Sequence, residues 1–307
     1  MTFAPDTSLN GILVMDKPEG PSSFDVIRVI RRLLGVKKIG HTGTLDPMAT
    51  GVLPLAVGRA TRLVSFLQDG DKEYEGRMVL GRITDTQDAT GRIQEERPIN
   101  GLTREAVEEA AKEFVGNIQQ VPPAYSAVKI NGRPAYKMAR KGEDVALKSR
   151  TITVHDFRIL EADLPLVRFS ALVSKGTYVR TLVSDLGERL GVGGCLDRLR
   201  RIKTGPFSLE QAVTLDEARD LAADGTLTDR MIPANEALGF MPQVMVSPRT
   251  AEHVAHGRSL DLQDLEAFEF NAGPVRVRFE DGLLAVYEYN PSRDPERLIP
   301  LRVLGAN

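Results

Sequence analysis

The chain has 307 residues, 42% of them hydrophobic and 27% charged, with a formal net charge of −2; this is the composition of one large or two ordinary globular domains and excludes a disordered or fibrous chain. No apolar run approaches the roughly 20 residues of a membrane span, and residues 1–11 lack the basic start and apolar core of a signal peptide, so a cytoplasmic location is expected. One cysteine, Cys195, allows neither an internal disulfide framework nor a thiolate cluster, and the four histidines show no HExxH motif, so chemistry without metal or cofactor is expected.

Residues 11–15 read as a short buried strand, closed by the breaker Lys17-Pro18-Glu19-Gly20-Pro21. Ser22, with Asp25 three positions on, starts a helix like a capping box; Phe24, Ile27, Ile30 and Leu34 form its inner face and Gly35 stops it. Residues 40–55 read as one loop. In it Pro47 drives Asp46 out of the α region while Gly40, Gly43 and Gly51 permit sharp turns, so the Asp46 carboxylate is presented at a fixed angle. Taken alone, an Asp-Pro pair is equally an ordinary turn starter. Gly58 opens a second helix with Ala60, Leu63, Val64 and Leu67 inward, residues 74–80 alternate as a strand, and residues 103–114 repeat the helical pattern before Gly116. Residues 121–150 are basic and turn-rich, a mobile loop or hairpin carrying Tyr125 and Tyr136.

Residues 167–173 form another strand, followed by Ser174-Lys175-Gly176-Thr177 and a helix through Val179, Leu182, Val183, Leu186 and Leu190 that Gly191 ends. Arg180 falls in its first turn, where the helix dipole disfavours a cation; either it escapes into water or a carboxylate or phosphate offsets the penalty. A domain boundary is expected at Phe240-Met241-Pro242. Beyond it Val275, Val277 and Phe279 alternate with Arg276, Arg278 and Glu280, and Asp281-Gly282 reads as the two-residue turn into a second strand at 283–289.

Charge is unevenly spread. Basic residues gather at Arg28, Arg31, Arg32, Lys37 and Lys38, at Lys129, Arg133, Lys137, Arg140 and Lys141, and at Arg198, Arg200, Arg201 and Lys203, while acidic residues collect at 95–96, 105–113 and 261–269. A phosphate-binding face on an otherwise acidic protein needs such segregation, although each cluster alone reads equally as a solvated face.

Seven ordered blocks carry a resemblance: Met15-Asp16-Lys17-Pro18 with Gly20, Ser22 and Ser23; Gly40-His41-Thr42-Gly43-Thr44-Leu45-Asp46-Pro47 with Ala49-Thr50-Gly51-Val52-Leu53-Pro54; Lys72-Glu73-Tyr74; Thr84-Asp85-Thr86 with Asp88 and Gly91; Pro122-Pro123-Ala124-Tyr125-Ser126-Ala127 with Lys129; Ser174-Lys175-Gly176-Thr177-Tyr178-Val179-Arg180-Thr181-Leu182; and Leu199-Arg200-Arg201. In these the chain resembles the TruB family of tRNA pseudouridine synthases. Val173 stands where many relatives place a cysteine, a swap of one small apolar residue for another.

The resemblance implies an α+β fold, a mixed and largely antiparallel sheet with flanking helices. It implies a catalytic domain over 1–238 with a basic thumb at about 124–151, and a small β-rich PUA-like RNA-binding domain over 241–307. It also implies conversion of the T-loop uridine, position 55 of tRNA, to pseudouridine. Asp46 is then the catalytic residue, Arg180 its ion-pair partner, and Tyr74, which as an alternating strand residue reads equally as core, the ring stacked on the target base with its hydroxyl near the reacting centre. Tyr178 and Leu199 line the uracil pocket, His41 fills the space of the flipped nucleotide, and Lys129, Arg140 and Lys141 contact RNA. Lys17 belongs among the substrate-binding residues or supports the loop, and Asp88 orders its neighbours. The T stem-loop of tRNA is the expected partner, with no membrane, no obligate protein partner and a monomeric state. A tRNA-folding chaperone that binds the T arm is the competing reading; a nucleotide-phosphate cradle is disfavoured because GxxxxGK[ST] is missing.

Overall fold

The structure, a computed structural model, describes residues 9–126, 128–130, 132–143, 145–265, 271–292 and 297–304. Residues 1–8, Ala127 and the stretch 266–269 of the acidic run, all used above, lie outside the described residues.

In chain order, β1 (Gly11–Lys17) leads to α1 (Ser23–Leu33), β2 (Ile39–His41) and β3 (Ala49–Val57). After a 3₁₀ turn come α2 (Val64–Leu67), β4 (Lys72–Leu80), the hairpin β5 (Arg82–Thr84) and β6 (Ile93–Glu96), α3 (Arg104–Lys112) and β7 (Gly116–Gln120). The thumb holds β8 (Lys129–Ile130), β9 (Arg133–Pro134) and α4 (Ala135–Ala139). Then follow β10 (Arg150–Asp163), β11 (Leu166–Val173), α5 (Val179–Arg189), β12 (Gly194–Thr204), β13 (Phe207–Ser208), α6 (Leu215–Ala223) and α7 (Ala234–Ala237). The C-terminal part contains β14 (Gln243–Met245), α8 (Pro248–Ala255), β15 (Leu260–Asp261), β16 (Gly273–Phe279), β17 (Gly282–Tyr289) and β18 (Arg297–Val303).

The large sheet runs β1-β3-β12-β4-β11-β10-β7, with β13 on β12 and β2 on β3. Every pairing in it is antiparallel except β12 with β3, which run parallel from Leu199 opposite Ala49 to Arg201 opposite Gly51. This is the α+β, largely antiparallel architecture expected. Alternation along β1 and β3 sends Leu13, Met15, Leu53 and Leu55 to one face, with α1, α3, α5 and α6; Ile12, Val14, Val52 and Ala56 go to the other. The second face packs on Ala237, Leu238 and Met241, on Leu304 just past β18, and on Val286 of the C-terminal sheet, which is ordered β14-β16-β17-β18-β15. Arg59 and Arg62 donate to the carbonyls of Leu304 (2.9 Å) and Val303 (2.7 Å), and buried Arg276 donates to those of Met241 and Asn235, so the two sheets are joined by polar as well as apolar contacts. Among the described residues no helix is long and apolar enough to cross a membrane.

Ser22 caps α1 as expected: its hydroxyl accepts the Asp25 N–H, the Asp25 carboxylate accepts the Ser22 N–H at 3.0 Å, and Gly35 ends the helix at φ +64. Four expectations need correction. Phe24 is 57% exposed rather than inward, because the buried arc is Ser23, Val26, Ile27 and Ile30 and, at about 100° per residue, position 24 falls beside it. The supposed loop 40–55 is a loop only over 42–48; β3 is a buried strand despite Gly51 and Pro54, because Pro54, which has no N–H to pair, still accepts from Thr42 N–H through its carbonyl. The third basic cluster is not one face: it lies on central strand β12, where Arg201 is 1% exposed and Arg200 pairs with Asp16 at 2.7 Å, leaving Arg198 and Lys203 outward. The C-terminal hairpin turns on Glu280-Asp281, since Phe279 pairs with Gly282, and Glu280 takes the left-handed conformation at φ +50.

Candidate active site

The loop 42–48 leaves β2 and runs back along the far edge of β3 to that strand's start, where β12 takes over the pairing. Four anchors hold it. Ser23 Oγ both accepts from Leu45 N–H (2.8 Å) and donates to its carbonyl (2.9 Å), while Gly20 N–H donates to Pro47 O (2.9 Å). Arg201 donates from Nη2 to Gly43 O (3.0 Å) and from Nε to Val52 O (2.7 Å), tying loop to strand. Its backbone approaches so closely that a Cβ on Gly51, already at φ +99, would sit 2.2 Å from the Arg201 carbonyl oxygen; only glycine fits there.

Lys17 is the fourth anchor. It is fully buried, and Nζ donates to the carbonyls of Pro18 (2.8 Å), Pro47 (3.1 Å) and Ala49 (2.7 Å). All three donors of an ammonium are thereby committed, which corrects its place among residues that touch substrate: Lys17 supports the loop. Burial lowers its pKa to about 8, with the Asp46 and Glu19 charges opposing that shift.

Asp46 stands at the tip of this scaffold with 40% of its side-chain surface open. The surrounding protein is dense enough that desolvation dominates and raises its pKa; Arg180 opposes the rise, Asp88 adds to it and Lys17 opposes it. Arg180 is 5% exposed, so the escape into water is ruled out. Its Nε lies 2.9 Å from Asp46 Oδ2, an ion contact whose N–H is not aligned as a hydrogen bond. Nη1 donates to Thr86 O (3.1 Å) and Asp88 Oδ2 (3.3 Å), and Nη2 donates to Tyr125 O (3.0 Å). One guanidinium thus joins two carboxylates, a loop and the root of the thumb, and these contacts offset its position at a helix start. Asp88 in turn accepts from Thr86 Oγ1, Thr90 N–H and Thr90 Oγ1, ordering residues 86–90. Between them Gln87 adopts φ +63 and accepts from Thr181 Oγ1 at 2.7 Å.

Tyr74 (7% exposed) and Leu199 (8%) lie in the apolar cluster that contains Leu45, beside the Asp46 loop, Tyr74 opposite Arg201 and Leu199 opposite both Ala49 and Gly76. His41 sits on β2 with Nδ1 buried and unpartnered; burial and then Arg201 lower its pKa, so the imidazole is neutral at pH 7. Tyr178 precedes α5, its backbone N–H and C=O both bonded to the side chain of buried Gln120, and its ring lies 4.8 Å from the Arg150 guanidinium. Lys129, Arg140 and Lys141 are exposed on the thumb, and Arg140 lies over the Tyr136 ring at 5.7 Å. Sequence reasoning missed Arg201, Ser23, Gln120 and the Gln87–Thr181 bond; for Arg201 the available signal was a cation at an inward position of the pattern Leu196, Leu199, Arg201, Thr204.

Residues 31–179 match the TruB family pseudouridylate synthase N-terminal domain and residues 180–239 the tRNA pseudouridylate synthase B C-terminal domain. An archaeal box H/ACA Nop10-Cbf5 complex contains a chain that superposes with a TM-score of 0.74 at 28% identity, over 98% of this chain and 89% of that one. A chain of an H/ACA RNP bound to a substrate RNA containing 2′-deoxyuridine gives 0.74 at 27% identity, over 96% and 85%. Fold and site together therefore define a pseudouridylate synthase. The tRNA pseudouridine synthase B of Syntrophus aciditrophicus is 45% identical over 286 residues (92% of this chain, 91% of that protein), and that of Geobacillus thermodenitrificans 41% over 307 (96% and 99%). The chain belongs to the TruB family.

Proposed function

We propose that the protein isomerises the T-loop uridine at position 55 of tRNA to pseudouridine, with Asp46 as the catalytic residue. The observation that carries this reading is the buried Arg180 against the partly open Asp46 carboxylate, 2.9 Å apart, on a loop anchored by Lys17, Ser23 and Arg201. Burial alone raises the Asp46 pKa; the guanidinium opposes this and favours the ionised form that either a nucleophile or a base needs. The reaction breaks the N1–C1′ bond, turns the uracil over, joins C5 to C1′, releases the C5 proton and leaves N1 protonated in its place, so no external reagent enters the balance. In this reading Tyr74 and Leu199 form the apolar wall of the uracil site with Tyr178 at its rim, and neutral His41 occupies the space of the extruded nucleotide, which costs roughly a few kcal/mol to unstack. Lys129, Arg140 and Lys141 supply phosphate contacts from the thumb, and residues 241–307 form a PUA-like RNA-binding domain. The protein works as a cytoplasmic monomer.

The test is release of tritium from C5 of uridine in unmodified tRNA, with the modified position mapped. Release confined to the T-loop uridine and lost in Asp46→Asn supports the assignment; RNA binding without release by the wild type transfers the function to RNA folding.

A further inference from the structure

Phe24 has no place in the reaction just described, yet it sits at the edge of the site. It follows Ser23, whose hydroxyl grips both backbone groups of Leu45, the residue before Asp46, and Gly20 on the other side of the helix cap donates to Pro47. The first turn of α1 is therefore a wall of the Asp46 loop. On that wall the Phe24 ring is 57% exposed, and it is absent from all three apolar clusters. Exposure of a large aromatic ring forgoes the stabilisation its burial would give, so the ring is a surface that a partner can cover.

Its neighbours indicate which partner. Positions 24, 28 and 31 lie along one edge of the helix. The Arg28 guanidinium is 5.7 Å from the Phe24 ring centroid and held by Asp25 at 3.2 Å, and Arg31 Nε is buried without a hydrogen-bond partner. Exposed Arg32, Lys37 and Lys38 extend the positive charge. An apolar docking protein would be opposed by the Arg28 charge at the ring and by the cations further along the same segment. A nucleotide is complementary, its base stacking on the ring and its phosphate meeting the arginines.

We propose that Phe24 is a stacking platform for an unpaired base of the RNA substrate adjacent to the target uridine, with Arg28 and Arg31 taking the neighbouring phosphates. This rests on the RNA-modifying function proposed above. One base–aromatic stack changes affinity by about 5-fold to about 100-fold.

The experiment measures Kd of the full chain for an unmodified T-arm stem-loop RNA, comparing wild type with Phe24→Ala, Phe24→Leu and Phe24→Trp. Stacking requires weaker binding by Ala and Leu within that range and recovery by Trp. In parallel, 2-aminopurine placed at each loop position flanking the target reports the contact: its fluorescence is quenched at one position by wild type and less so by Phe24→Leu. Wild-type affinity for Phe24→Ala overturns the proposal, as does recovery by Leu, which would mean greasy contact without stacking. An RNA-independent change in sedimentation of Phe24→Ala would assign the ring to self-association and overturn it too. Tritium release by the wild type, run alongside, separates this outcome from failure of the proposed function, since the Kd series decides the stack whether or not release occurs.

Discussion

Replacing Lys17 with methionine removes the anchor on which Asp46 most directly depends, and its cost can be worked from both sides. The carbonyls of Pro18, Pro47 and Ala49 lose their donor in a fully buried place, at about 1–3 kcal/mol each. Against this, the protein no longer holds an ammonium whose pKa burial has brought from 10.5 to about 8, a relief of about 3 kcal/mol at neutral pH. The balance is a net destabilisation of about 3 kcal/mol, measurable as a lowered urea midpoint. The pH dependence has a definite sign. Below about 8 the lysine is charged in both folded and unfolded chains and the full penalty is present. Between about 8 and 10.5 the folded chain gives up the proton while the unfolded chain keeps it, so the wild type gains stability as pH rises. Lys17→Met lacks that gain, and the stability gap between the two proteins should therefore widen from pH 7 to pH 9.5. In activity, releasing the backbone on both sides of Asp46 should lower kcat about 10²-fold, the cost of a displacement near 1 Å, with RNA affinity retained because Lys17 reaches no solvent. Weakened RNA binding with intact kcat, or a gap that narrows with pH, would refute the assignment of Lys17 as a loop anchor.

Arg180→Met leaves Asp46 and Asp88 facing each other without the cation between them, so the acidic limb of kcat/KM should move to higher pH; an unmoved limb with reduced rate would mean that Arg180 acts on something other than Asp46 ionisation. Asp46→Asn should abolish turnover yet raise the thermal midpoint at pH 7. The raised pKa means that the folded state prefers the protonated acid, so its stabilising preference is complete below the unfolded pKa and lost as pH rises through the folded one, and the variant's advantage should vanish at low pH in parallel melts. Thr181→Val deletes the donor to Gln87 and should depress kcat, whereas Thr181→Ser should restore it; equal activities would detach the 86–88 turn from the orientation of Arg180. Charge reversal at Arg140 and Lys141 should weaken tRNA binding and reduce the slope of log Kd against log salt by about 1–2, and an unchanged slope would remove the thumb from the phosphate-contacting surface.

Local rules were most readable where local bonds decide the structure. The Ser22–Asp25 cap and the Gly35 stop of α1 involve residues within one or two turns, and both are as read. The elements that escaped are those whose logic is tertiary. Strand β3 carries Gly51 and Pro54, which punctuate most sequences, but here the glycine admits the backbone of Arg201 and the proline still offers a carbonyl. Strand β12 is masked by four cations, one of which turns inward because Gly43 and Val52 supply carbonyls 158 and 149 residues away. The placement of Arg180 raised a question that periodicity could pose and only the neighbours Asp46 and Asp88 could answer. The base-stacking role expected of Tyr74 rests on family resemblance alone, since a buried strand tyrosine carries no mark that separates it from ordinary core.

The long sequence separation of these clamps gives the site a place in the timing of biosynthesis. The loop 42–48 leaves the ribosome early, but Arg180 and Arg201, which hold Asp46 and Gly43, are added more than a hundred residues later, a delay of roughly seven to thirty seconds at about 5–20 residues per second. Until then the Asp46 loop lacks both arginines, and a nascent chain has a carboxylate without an oriented site. Competence to modify RNA thus arrives only when the central sheet has closed, so recovery of activity during refolding should coincide with the slowest structural phase, as non-local strand pairing dictates.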